Sequence, residues 1–430
     1  MKNRQIVRLI VACAFAVAGL SGTAAAQSGS APAPVQIQFW TMQLSPFHDE
    51  YVNGMIAAFE QDNPDVRVKW VDVPWKEMEK KVLASVAART PPDLVNLNPQ
   101  FAAKLAEYGA LANPEHFLSE AQVATYLPNI WGANRYRGEA FAIPWYLSTT
   151  ITIYNRELLQ AAGAEVPANH AQLLQTARLV REKFDRYVYF PAMDGSRPLE
   201  DMVAMGASLL NARATGAGFE GESGRAFFSF YRDLFQQGLV PRNVLTEGHR
   251  KAVELFQSGE VTMITTGMQF LESIRVNSPA LYEKVGIAPQ LKAAAAPFSV
   301  AAMNLAVPEL SPNKEAAFRF AAFVTSHENQ MALARRVPLL PSTRQSFDDP
   351  FFLPPAASAP LIAHARALSA QQTLKGEVLV PPLPGYSKLR NSFVFNLQAA
   401  MVGQLSVEEA VEQVADTWAL FLGDNRVEEE

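Results

Sequence analysis

Cysteine is all but absent from this chain: Cys13 is the only one in 430 residues. No intrachain disulfide is therefore available, and the fold has to be held by ordinary burial. Basic residues are also scarce, with 37 Lys+Arg against 42 Asp+Glu and a formal net charge of −5. That balance excludes the electrostatic footprint of a nucleic-acid-binding protein. Long apolar runs are missing after residue 20, so no later segment reads as a membrane span. The six histidines, His48, His116, His170, His249, His327 and His364, include no pair at i, i+4 and no zinc-like spacing with acids. There is no G-x-S-x-G elbow. The formal G-x-G-x-x-G at Gly216–Gly221 follows a helix-like stretch rather than a strand, so it reads as a surface loop. Carboxylates are plentiful, but no motif selects an acid/base pair, and they read as solvated faces. No cofactor, no metal and no enzymatic activity are expected.

The ends of the chain carry their own signals. Residues 1–26 have the basic–apolar–small layout of a cleavable export signal. Lys2, Arg4 and Arg8 precede LIVACAFAVAGL, and Ala24 and Ala26 form an A-x-A site. Cys13 lies too early in the apolar core for a lipoprotein box. Cleavage after Ala26 would remove three basic residues and no acid, taking the net charge from −5 to −8. Residues 27–34, QSGSAPAP, read as a flexible tether, and the terminal EEE as a solvated tail. A periplasmic location follows as the expectation.

Between the ends, strands alternate with helices. Val35–Trp40 alternates as a strand, and Ser45-Pro46 is expected to open a helix with Val52, Met55, Ile56 and Phe59 on one face. Val66–Trp70 and Asp93–Leu97 read as further strands, with a helix through Met78, Val82 and Val86 between them. Later, Pro198–Arg213, Arg225–Gln237 and Arg250–Phe256 read as helices, Glu260–Thr266 as a strand and Met303–Pro308 as another. A last helix begins with a capping box at Ser406 and Glu409. The pattern implies an α/β fold of two units with parallel pairing.

Six landmarks follow one another in a recognisable order: FEQDNPDVRV, PPDLVNL with LAEYGALANP, GEAFAIPWYLSTTITIYNRELLQAAG, AVELFQSGEVTMITTG, NLAVPELSPNKEAAFRFAAFVTSHENQ, and PLLPST. From Val35 to about Trp418 the chain resembles the extracellular solute-binding proteins that serve ABC importers, among them maltose-, other sugar- and glycerol-3-phosphate-binding proteins. The resemblance implies a two-lobed periplasmic-binding-protein fold. Each lobe would be a mainly parallel sheet flanked by helices, with three crossings and a ligand cleft between the lobes. It also implies a monomer that hands a small solute to membrane permease subunits.

The crossings are expected at Pro144, near Val285–Gln290 and near Pro338–Thr343. One lobe would then comprise 35–145 with 288–340, the other 146–287 with 341–430. Pro144 would break a strand in two, placing Trp145 and Tyr146 at the cleft; the competing reading has both aromatics filling space beneath the hinge. Trp40 and Gln43 follow the first strand and Asn98 the third. Gly267 and Met268 end a strand where relatives commonly carry Gly and an aromatic. Phe298 lies where relatives often have a Gly-rich loop, and Tyr386 sits in a Pro-rich loop. Arg344 and Arg390 are the basic candidates, and an inward arginine would suit a phosphorylated polyol. The solute is a sugar, oligosaccharide, polyol or polyol phosphate. An exported carbohydrate-active enzyme and a ligand-sensing receptor are the alternatives.

Overall fold

The computed structural model describes residues 33–424. The expected export signal, Cys13, all but the end of the tether and the acidic tail lie outside the described residues.

The chain opens with β1 (Val35–Met42), α1 (Asp49–Asp62), β2 (Val66–Val73), α2 (Trp75–Ala87), β3 (Leu94–Leu97) and α3 (Pro99–Glu107). β1 pairs in parallel with β2 on one side and with β3 on the other. Both faces of β1 are covered: Ile37 and Phe39 enter one core, Trp40 and Met42 the other. That two-sided burial is what a parallel sheet requires. Phe39, Phe59 and Phe320 meet at centroid distances of 5.3 and 4.9 Å, which fixes α1 and the Lys314–Val324 helix against one face. Ser45-Pro46 does not begin α1. A turn carries the chain to Asp49, and Asp72 accepts from Thr41 Oγ1 at 2.6 Å and Leu44 N at 3.0 Å to hold it.

The next long strand, β4 (Ile143–Asn155), corrects an expectation. Pro144 does not break it; thirteen residues run continuously. Against β7 (Phe298–Ala306), Pro144 faces Asn304 and Tyr146 faces Met303, so Trp145 is the extra residue of a β-bulge. A bulge absorbs a missing donor and re-aims the side chain. Trp145 is fully buried and joins the same core as Tyr146 and Phe39, so the cleft reading of Trp145 gives way to the core reading.

The strand changes partners further along. β4 pairs with β7 up to Thr149, and from Thr150 with β5 (Met263–Gly267), joined by β6 (Val285–Ala288) from Thr152. Three hydrogen bonds stitch this point: Thr149 Oγ1 to Ser299 O at 2.8 Å, Ser299 N to Gln290 Oε1 at 2.8 Å, and Gln372 Nε2 to Thr150 O at 3.0 Å. β7 runs on to β3, and Leu340–Pro341 (β8) pairs with Leu147 and Tyr146. Parallel pairing joins β1–β3, and also β7 with Gly376–Glu377 (β9); β4 is antiparallel to all its partners.

The second lobe is built on a large core with Phe219, Phe227, Phe228, Phe393 and Trp418 fully buried. Its helix after Gly195 is shorter than expected, running Arg197–Ala204 (α4) rather than to Arg213. Gly216–Gly221 is preceded by turns, not by a strand. The capping box forms: Ser406 N donates to Glu409 Oε2 at 2.8 Å and Glu409 N to Ser406 Oγ at 3.1 Å.

Candidate functional site

Two adjoining cavities mark the cleft. The larger, about 720 Å³, has α3 of the first lobe on one wall and the 194–196 and 385–391 segments of the second lobe on the other. The smaller, about 310 Å³, lies where the strands cross and shares Asp194, Gly195 and Ser196 with it. Both volumes fall in the range of roughly 300–1,000 Å³ usual for small-molecule sites.

Hydroxyls and charges dominate the smaller cavity. Thr149, Thr150, Thr266 and Ser299 line it with Arg197, Glu200, His249 and Phe270. Arg197 opens α4, and its side chain is only 14% exposed. It faces Asp201 at 3.3 Å and Glu200 at 3.6 Å, one turn along the same helix. Asp201 also accepts from Tyr231 Oη at 2.9 Å, and Glu200 accepts from Ser299 Oγ at 3.1 Å. Burial pushes the Asp201 carboxyl up against the pull of Arg197 and Tyr231. The Arg197 guanidinium keeps its proton throughout. His249 Nε2 lies 2.7 Å from Thr266 Oγ1, and its ring meets Phe270 edge-on at 4.9 Å. Burial and the neighbouring Arg197 hold His249 below its ordinary pKa, against the opposing pull of Asp194. It is a neutral imidazole near pH 7.

A brace behind the cavity keeps the 193–195 loop in place. Arg390 donates from Nε to Gly195 O at 2.8 Å and from Nη2 to Met193 O at 2.5 Å. Its guanidinium is thus committed to backbone carbonyls. Tyr386 begins the helix Tyr386–Val402 (α5) and lines the cleft; burial pushes its phenol up to about 12.

The expected site residues separate into three groups. Asn98, Gly267 and Tyr386 line the cleft, although Asn98 Oδ1 already caps α3 by accepting from Phe101 N at 2.8 Å. Trp40, Trp145, Tyr146 and Met268 are buried in cores. The Tyr146 hydroxyl lies 3.4 Å from Asn96 Oδ1, and Lys81 sits over the Trp40 ring at 4.4 Å. Phe270, three residues past Gly267, reaches the cavity while Met268 turns inward. Gln43 is exposed after β1, and half-buried Phe298 lies under Lys292 at 4.9 Å. Arg344 lines a different hollow of about 540 Å³, beside Tyr126 and His327. Arg197, Glu200 and His249 line the cavity but were not anticipated there. Their signal in the sequence was a D-G-S-R-P turn opening a helix, with acids three and four residues after the arginine. Among the described residues, no group of three or more His, Cys, Asp or Glu side chains comes together as a metal site.

The family profile described as bacterial extracellular solute-binding protein matches residues 47–331. The chain belongs to that family. Its solved structural relatives include a candidate oligosaccharide periplasmic-binding protein from Synechococcus sp. MITs9220. The two are 36% identical with a TM-score of 0.83, over 90% of this chain and 99% of that one. The mannitol-binding protein of Pseudomonas aeruginosa is 24% identical over 82% of this chain and 86% of its own length. The sugar-binding protein MalE of Xanthomonas citri shares the two-lobed fold at a TM-score of 0.77 and 21% identity, over 92% of this chain and 100% of its own. No helix among the described residues is long and apolar enough to cross a membrane.

Proposed function

We infer that this protein is the periplasmic substrate-binding component of an ABC importer. It captures a sugar or related polyol in the cleft and delivers it, as a monomer, to membrane permease subunits. The observation that carries this reading is the lining of the crossing-strand cavity. Seven serines and threonines, a buried guanidinium and the Phe270 ring line a space of about 310 Å³. Sugar hydroxyls need such donors and acceptors, while a ring's C–H face packs on an aromatic. The names of the relatives, which run from mannitol to oligosaccharide, support the same solute class. The lobe division expected at 35–145 with 288–340 and 146–287 with 341–430 belongs to this reading, with the switch of β4 from β7 to β5 moving its first boundary to Thr149–Thr150.

A thermal-shift screen over sugars, polyols and their phosphates tests it, with product analysis to exclude turnover. A ligand at a hundred times its Kd stabilises the fold by about 2.7 kcal/mol. One or more members should raise Tm saturably and be recovered intact. A panel that leaves Tm unmoved, or is hydrolysed, would count against the reading.

A further inference from the structure

The cleft contains a cation that its own helix has already neutralised. Arg197 lines the smaller cavity with its side chain mostly buried, and the acids at i+3 and i+4 of α4 stand on either side of its guanidinium. Those contacts, at 3.6 Å from Nη1 and 3.3 Å from Nε, balance its charge without meeting hydrogen-bond length for each N–H. A guanidinium has five N–H donors in a planar fork, so donors remain for a ligand. Around the same space stand Asp194 and Glu200, with Asp201 directly behind and a neutral His249. Two carboxylates therefore face one guanidinium, while Asp194 lines the same space and accepts from His249 N at 3.1 Å. The other arginine at the cleft, Arg390, is held by two backbone carbonyls, and Lys104 of the opposite wall pairs with Glu79 at 2.9 Å.

We propose that Arg197 is the specificity-determining residue of the cleft: it donates to adjacent hydroxyls of an uncharged solute, while Asp201 and Glu200 keep it from accepting a phosphorylated or carboxylated one. A planar fork spans two neighbouring oxygens whether they belong to a diol or to an anion. What separates the two ligands is net charge. An anion entering here would meet the field of Glu200 and Asp201, with Asp194 on the same wall, in a partly dehydrated site where such repulsion is poorly screened. A diol meets donors and acceptors with no such penalty. This inference rests on the sugar-cleft reading and narrows it to neutral solutes.

The test uses the full mature chain and four variants. Calorimetry with the neutral sugar or polyol that gives the largest thermal shift is compared with the phosphate ester of the same compound. Titration with inorganic phosphate serves as a probe of bare charge. The wild type should bind the neutral compound at least tenfold more tightly than its ester and show no saturable phosphate binding. Arg197→Gln should weaken the neutral ligand tenfold or more. Asp201→Asn, which keeps the shape and leaves an acceptor for Tyr231, should gain saturable phosphate binding, and Asp201→Asn with Arg197→Gln should lose it again. If Asp201→Asn does not fold, Glu200→Gln carries the same expectation at a more accessible position.

A wild type that prefers the ester, or an Arg197→Gln variant that binds the neutral ligand unchanged, would overturn the proposal while leaving the sugar reading intact. Phosphate binding gained in Asp201→Asn by a protein that responds to no sugar would uphold the charge balance and sink the sugar reading. No response in either arm would remove both.

Discussion

The rings of Phe39 and Trp145 lie 6.0 Å apart, both fully buried, joining the first strand of the sheet to the bulge in β4. Trp145 also meets Tyr146 edge-on at 5.1 Å. The tryptophan is thus a keystone beneath the crossing rather than a wall of the cleft. Trp145→Ala should cost about 3–5 kcal/mol of stability, with affinity retained in the fraction that stays folded. Denaturant melts and calorimetry on the same variant check this. Affinity lost with stability kept would return Trp145 to the cleft.

Why the sequence misleads at this residue is a matter of magnitudes. Buried indole N–H groups usually find a partner, which argued for the cleft. Here Trp145 Nε1 is buried with none among the described residues. An unsatisfied donor costs about 1–3 kcal/mol. Burying 150–250 Å² of aromatic surface returns roughly 4–6 kcal/mol, so packing wins. The proline was read as a strand break because the pairing partner was out of view. Only β7 reveals that Pro144 and Tyr146 face consecutive residues. Local signals were legible where local physics decides, as at the Ser406–Glu409 box and the two-sided β1. The cleft was legible at Asn98, Gly267 and Tyr386, which sit at ends of strands or helices. Arg197 was not, because what places it on the cavity is the approach of Ser299 and Thr266 from distant strands.

Arg390 tests the brace. Its two bonds to the 193–195 carbonyls position Ser196 and Arg197, and a hydrogen bond from a charged group contributes about 1.5–3 kcal/mol. Arg390→Ala should weaken the screened solute about tenfold or more while the fold persists. Arg390→Lys should restore little, since an ammonium cannot span both carbonyls. Calorimetry with circular dichroism on both variants measures this. Full rescue by lysine would mean that charge alone, not the fork, is what matters there.

His170 sets a pH dependence of stability. It is 6% exposed, packs edge-on against Phe230 at 5.2 Å, and burial with the field of Arg197 lowers its pKa from 6.5 to about 4. A histidine held neutral in the folded state loses stability as pH falls. The unfolded chain takes a proton near 6.5 while the native one resists until about 4. Between pH 7.5 and 5 this single site should remove about 2 kcal/mol. Urea midpoints across that window, compared with His170→Gln, isolate the contribution. Equal slopes in the two proteins would show that His170 is not the group responsible.

The lobes also touch across the cleft mouth. Both carboxylate oxygens of Glu107, at the end of α3, lie 3.3 Å from the backbone N of Gly385, which caps the start of α5. A carboxylate at a helix N-terminus is favoured by the free N–H groups and the helix dipole. This contact exists only while the lobes are together, so it biases the protein toward the closed form. Removing it should shift the unliganded population toward open, and binding should weaken because the competent state is rarer. A single hydrogen bond of this kind contributes about 0.5–1.5 kcal/mol, so Glu107→Ala should lower affinity by roughly two- to tenfold. Small-angle scattering should show a larger radius of gyration for the unliganded variant than for the unliganded wild type. At saturating solute the two should converge, because ligand contacts then close both. Glu107→Gln keeps an acceptor oxygen but not the charge, and should fall between them. Identical scattering from all three unliganded proteins would mean that Glu107 does not govern closure, and that the crossing strands set the resting angle by themselves.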